Sequence, residues 1–289
     1  MRWRKLESSQ NVQDRRGTRA KVVGGVGGVG VLGVLIALLF GGLGGGGGFD
    51  DVGDLLGQVQ AGSPPAQQQQ ADEFEGLDES EDFVRRVLGS TETVWADVFG
   101  DVGMQYRPAQ LVLFNAPTES ACGGARSEIG PHYCPVDQTV YIDLDFFDEL
   151  TRRFGASSGD FAEAYVIAHE IGHHVQNLLN IMDEVQQIQR SDPTNANELS
   201  VRLELQADCL AGIWANSIWQ REDVLEPGDI EEALSAASAV GDDRIQAATT
   251  GRVNPESWTH GSADQRVRWF TDGYESGDPN VCDTFSGGV

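Results

Sequence analysis

The spacing of hydrophobic positions changes several times along this chain, and each change marks an element. From residue 81, Phe83, Val84, Val87, Leu88, Thr91, Val94, Trp95 and Val98 recur at intervals that predict one apolar helix face. Gln110–Phe114 and Thr139–Leu144 are short runs that predict strands, the second rich in β-formers (Val140, Tyr141, Ile142). Phe146, Leu150 and Phe154 then fall four apart, a short helix closed by Gly155. Asp160 and Glu163 have capping-box spacing and open a helix reaching to about Leu179. A break at Pro193 to Asn197 precedes a long helical pattern to Gln220. Pro227, Gly228 and Asp229 with Glu232 cap a further helix, and Ser262 with Gln265 caps the last, which stops near Gly273. The sum is an α+β domain over residues 80–289, mainly helical with a small β-sheet.

Ahead of that domain the pattern is different. Val22–Phe49 is a run of 28 residues without a charge, densest over Val29–Phe40. About 20 apolar residues in a helix cover the roughly 30 Å hydrocarbon layer, so 22–49 is expected to be one N-terminal transmembrane helix. A cleaved signal peptide is the alternative, although no small-residue cleavage site stands out. Residues 1–21 then form a basic cytoplasmic leader, and residues 50–79, with Pro64, Pro65 and Gln67–Gln70 before a run of acids, an acidic Gln/Pro-rich linker. The expected topology is a single-pass protein of the cell membrane, N-terminus cytoplasmic and C-terminal domain extracytoplasmic.

Charge sharpens that division. The 289 residues carry 20 basic and 45 acidic groups, a net −25. The first 49 residues are net +5, whereas residues 50–289 are net −30 and contain no lysine. A body so acidic repels phosphate backbones, which excludes nucleic acid as a partner. The four cysteines suit an external disulfide framework. Cys122 and Cys134 flank a Gly-rich loop and make the first pair, which leaves Cys209 with Cys282; a buried free thiol at Cys209 is the alternative.

The chemistry is concentrated in His169-Glu170-Ile171-Gly172-His173. Residues four apart share one helix face, so His169 and His173 can offer two imidazole nitrogens to one Zn²⁺. Glu170 projects beside the metal, where a general base takes a proton from water and passes it to a leaving amine. The longer H-E-x-x-H-x-x-G-x-x-H pattern is excluded, because Gln176 and Leu179 stand where it needs Gly and His. The third ligand is therefore expected from a later helix. Glu204 is the candidate, and Asp208 one turn on is placed to accept the N–H of a ligating histidine. Glu184 and Glu198 are rivals, but neither has an aspartate four residues later. His174 points about 100° away from His173 and is expected to be structural.

These motifs resemble those of the family of putative neutral zinc metallopeptidases, single-span bacterial envelope proteins of gluzincin type. The likeness rests on Phe83-Val84, Thr93-Val94-Trp95, Cys122-Gly123, Cys134-Pro135, Val140–Leu144, His169–Gln176, Glu204–Cys209, Thr259–Ser262 and Gln265–Arg268. Residues before 80 match only in having a basic leader and an anchor. The resemblance implies a zincin-like (gluzincin) domain and a zinc-dependent peptidase acting on a peptide or protein substrate. A broader likeness to membrane gluzincins with Glu-x-x-x-Asp implies that His260 is an oxyanion donor. It also implies that Arg266, six residues on, stabilises the same anion or binds a substrate carboxylate. In such folds the edge strand of a small sheet receives the substrate, and Val140–Leu144 is the candidate. Two contrasting readings remain: a non-proteolytic zinc-bound envelope scaffold or partner-binding protein, and hydrolysis of a non-peptide amide in the cell wall.

Overall fold

The computed structural model describes residues 1–16, 78–125 and 130–289. Its elements are β1 (Val12–Asp14), α1 (Glu79–Asp101), β2 (Gln110–Phe114), β3 (Thr118–Ser120), β4 (Gly123–Ala125), β5 (His132–Cys134) and β6 (Thr139–Asp143). Seven helices follow: α2 (Asp145–Arg152), α3 (Asp160–Leu178), α4 (Ile181–Ser191), α5 (Ala196–Glu222), α6 (Asp229–Ala239), α7 (Asp242–Thr250) and α8 (Ala263–Ser276). The mainly helical α+β architecture with a small sheet is as the periodicities predict.

The sheet has the order β1-β2-β6-β5, with β1, β2 and β6 parallel and β5 antiparallel to β6. All five residues of β6 are buried between its neighbours. The strand expected to be an edge is therefore interior, and the edge on that side is β5. Separately, β3 and β4 form a hairpin, tied to β5 by the Cys122–Cys134 disulfide. The second pair, Cys209–Cys282, fastens α5 to the final turn at Pro279–Cys282.

The core lies between α3, α5 and the elements around them. Phe161 of α3 stacks on Trp214 of α5 with ring centroids 5.7 Å apart, both fully buried. Each such aromatic removes roughly 150–250 Å² from water, which is why these two helices hold together around polar residues on their facing sides. Gly273 does not stop α8, which runs on to Ser276. It lets α8 lie against α5: a Cβ there would stand 2.1 Å from the Cys209 carbonyl oxygen, and one at Gly212 would stand 2.2 Å from that of Phe270.

Local caps divide into those the sequence shows and those the fold supplies. Ser262 and Gln265 form the expected capping box on α8. At α3 the expected Asp160–Glu163 box is absent. Glu232 of α6 accepts the Phe161 N–H at 3.1 Å instead, so a tertiary contact serves an orphan helix donor.

Residues 1–16, expected from charge to belong to a leader, pack on the domain. Trp3, Leu6 and Val12 are buried in the main core, and β1 pairs with Leu111–Leu113 of β2. Among the described residues no helix is long and apolar enough to cross a membrane. The expected transmembrane stretch 22–49 and nearly all of the linker 50–79 lie outside the described residues.

Candidate metal centre

Helix α3 carries His169, Glu170 and His173, and α5 carries Glu204 and Asp208. Gly172, between the two histidines, allows the approach: a Cβ there would be 2.9 Å from the Ala207 carbonyl oxygen. Ligand atoms of His169, His173 and Glu204 all lie within 4.8 Å of one another. Glu204 faces both imidazoles, with Oε2 3.2 Å from His169 Nε2 and Oε1 3.5 Å from His173 Nε2. Glu184 and Glu198 do not belong to this cluster.

The far side of each ring is held by an acceptor. His169 Nδ1 donates to Asp208 Oδ1 at 2.8 Å, and His173 Nδ1 donates to Gln176 Oε1 at 2.9 Å. Gln176 has its amide oriented by donation from Nε2 to the Leu203 carbonyl at 2.7 Å and to Gln206 Oε1 at 3.0 Å. With both Nδ1 atoms donating, both Nε2 atoms face the Glu204 carboxylate. A carboxylate this close to two imidazole nitrogens calls for positive charge between them, supplied by protons on the rings or by a cation, and two imidazoles with one carboxylate are a zinc donor set. Burial opposes charge on His169, but Asp208 and Glu204 push its pKa up to about 9. Burial likewise opposes ionisation of Glu204, and His173 and His260 hold it well below the usual carboxylate range. The donors fit a divalent metal.

Behind the ligands lies a buried ionic cluster. Arg266 was expected to meet substrate, but its side chain is buried and its guanidinium is spent on Asp208, with Nε to Oδ2 at 2.8 Å and Nη2 to Oδ1 at 3.0 Å. Tyr165 donates to the same Asp208 oxygen at 2.5 Å and accepts from Arg266 Nη2 at 3.2 Å. Burial disfavours the Asp208 anion, but Arg266 and His169 outweigh it and keep the carboxyl ionised. Arg266 thus reaches His169 through Asp208, and it also lines the adjoining cavity.

A cavity of about 680 Å³ opens over this cluster, lined by His169, Glu170, His173, Glu204 and His260 among others. His260 hangs on Asp242, the first residue of α7: Nδ1 lies 3.2 Å from Oδ1, while Oδ2 accepts the N–H groups of Thr259, His260 and Gly261 at 2.8, 2.7 and 3.1 Å. The Nε2 edge is left for the cavity. His174 turns away, as expected. Its Nε2 donates to the Arg107 carbonyl at 2.6 Å and its Nδ1 accepts from Tyr133 at 2.9 Å, tying α3 to β5.

Tyr165, Gln176 and Asp242 were not singled out by sequence. Tyr165 sits one turn before His169 and Gln176 one turn after His173, so helical spacing alone could have raised both. Nothing local marks Asp242.

The model of the family described as Putative neutral zinc metallopeptidase matches residues 1–285. The chain is 45% identical over 287 residues to the uncharacterized protein YpfJ of Escherichia coli (strain K12), covering 99% of each. It is 52% identical over 206 residues to the uncharacterized proteins Mb2605 of Mycobacterium bovis and Rv2575 of Mycobacterium tuberculosis, 68% of each chain. No solved structure matches. The match reaches back to residue 1, consistent with the packing of residues 1–16 into the domain, and the chain belongs to the putative neutral zinc metallopeptidase family.

Proposed function

We propose that the protein is a zinc-dependent peptidase in which His169, His173 and Glu204 hold the metal. The observation that carries this reading is the convergence of three buried donors at one edge of an open cavity, with Glu170 beside them. Zinc so held supplies Lewis acidity toward a substrate carbonyl and lowers the pKa of water toward neutrality. Glu170 takes the proton of the attacking water and returns it to the departing amine. His260, oriented by Asp242, offers its Nε2 edge to the oxyanion that develops on the carbonyl. Arg266 and Tyr165 keep Asp208 ionised and in place, so that His169 presents a fixed lone pair.

The substrate class follows from the cavity walls. Strand β5, the last in the sheet order among the described residues, contributes His132 and Tyr133 to the cavity, and a strand edge suits an extended peptide. Phe146, Leu150, Phe154, Val166 and Ile245 line the same cavity and suit a large apolar side chain of that peptide. The two disulfides favour an oxidising compartment for the domain.

The test is cleavage of denatured casein by the purified chain with zinc content measured alongside. Glu170→Gln is expected to keep the metal and to lose at least about 100-fold in turnover, the scale of general-base catalysis. Zinc bound with no turnover in the wild type would instead support a binding or scaffold role.

A further inference from the structure

Residues 1–16 are built into the domain by side chains placed for them on α1. Trp3 packs edge-on against Phe83, ring centroids 5.5 Å apart. Arg85 donates to the Ser9 and Val12 carbonyls at 3.2 and 3.0 Å, and Arg86 to that of Leu6 at 2.7 Å. Glu92 accepts from Ser9 Oγ at 2.6 Å and from Asn11 Nδ2 at 2.8 Å. Helix α1 is also relieved for the passing strand: a Cβ on Gly89 would stand 2.3 Å from the Glu7 carbonyl oxygen. Without this segment β2 loses one of its two neighbours, and the face of α1 that carries Arg85, Gly89 and Glu92 loses its cover.

The segment ends at a contact with the start of α1. Arg16 Nη2 lies 2.7 Å from Asp14 and 2.9 Å from Asp78, the N-cap of α1. The two flanks of residues 17–77 therefore meet at one place, and the charge-free stretch Val22–Phe49 lies between them in sequence. A stretch that crosses a bilayer once leaves its flanks on opposite sides of about 30 Å of hydrocarbon. Contacts of 2.9 Å between the flanks are incompatible with that.

We infer that residues 1–16 lie on the same side of any membrane as the metal-site domain. This differs from the topology that charge alone suggests. The arginines that make the first residues look like a cytoplasmic leader have partners in the domain, Arg4 pairing with Glu79 and Arg2 with Asp223.

The full-length chain in its own membranes tests this. All four cysteines are in disulfides, so Lys5→Cys and Glu256→Cys, both at exposed positions, each provide a single reactive thiol. An impermeant maleimide applied before and after lysis is expected to label both under the same condition. Labelling of one only before lysis and the other only after would overturn the inference. A second readout uses wild-type protein: Lys5 Nζ lies 3.9 Å from Asp223 Oδ2, and only one other lysine, Lys21, exists in the chain. Zero-length carbodiimide coupling is expected to yield a Lys5–Asp223 linked peptide, and its absence from membrane preparations would also overturn the inference.

Discussion

Two histidine–carboxylate pairs face the cavity, and they are built in opposite ways. His169 and Asp208 stand on two long helices, and Asp208 is fully buried with Arg266 on both oxygens and Tyr165 on one. His260 and Asp242 lie on a loop and at the start of a helix, and Asp242 is wrapped by three backbone N–H groups. The first pair fixes a ring in place by charge locked between helices. The second holds a loop by its own backbone and leaves one imidazole edge toward the cavity. A metal ligand tolerates little movement, whereas a donor to a developing oxyanion has to meet a substrate atom. The two constructions suit the two duties proposed for these histidines.

Breaking the first pair has the largest expected effect. Arg266→Met leaves Asp208 as a buried charge without its cation, which costs about 3–5 kcal/mol of stability when a buried pair loses one partner. Chemical denaturation with matched slopes checks it. Arg266→Lys is expected to recover only part of the loss, because an ammonium cannot span both carboxylate oxygens as a guanidinium does. If Arg266→Met unfolds at the wild-type midpoint, the locked-pair picture is wrong.

Next is Asp208→Asn, which keeps the side-chain shape but weakens the acceptor for His169 Nδ1–H. Zinc affinity is expected to fall by about 10–100-fold, read by chelator competition. Asp242→Asn is expected to leave zinc affinity unchanged and to lower turnover by part of the roughly 100-fold that losing an oxyanion donor costs. Equal loss of zinc in both variants would erase the distinction between the pairs.

How far the sequence reveals this site depends on where each partner lies along the chain. His169, Glu170 and His173, and separately Glu204 and Asp208, are related by a single helical turn, so spacing alone assembles each half. The long helices α3 and α5 are legible for the same reason, and their ends fall close to the expected residues. Strands β1, β3, β4 and β5 have three residues each, too few to show an alternation. Helix α7 begins at Asp242 only two residues after α6 ends, and Gly241 is the one local sign of the break. The cap on α3 comes from Glu232, 71 positions away. The pairing of Arg266 with Asp208 was not legible, because its place on α8 says nothing of which helix that face meets. The packing of residues 1–16 on the domain was not legible, because positive charge near an apolar stretch gives no sign of its acidic partners until they are located in space.

A carboxylate on α3 with like-charged neighbours provides the smallest and sharpest contrast with Asp208. Burial, and then the nearby charges of Asp160 and Asp148, push the Glu163 pKa up to about 7. Arg266 and His169 keep the buried Asp208 ionised, whereas the neighbours of Glu163 disfavour its anion. A carboxyl whose folded pKa exceeds its unfolded value binds more protons in the folded state between those two values. Stability therefore falls as pH rises from about 4.5 to about 7, and the loss persists above that. Glu163→Gln removes the ionisation while keeping the size. It is expected to raise stability at pH 8 by about 1 kcal/mol, discounted for partial exposure to solvent, and to match the wild type near pH 4. Thermal melts of both proteins across that range read the difference. A gap between them that does not widen from pH 4 to pH 8 would mean that Glu163 titrates as an ordinary surface acid.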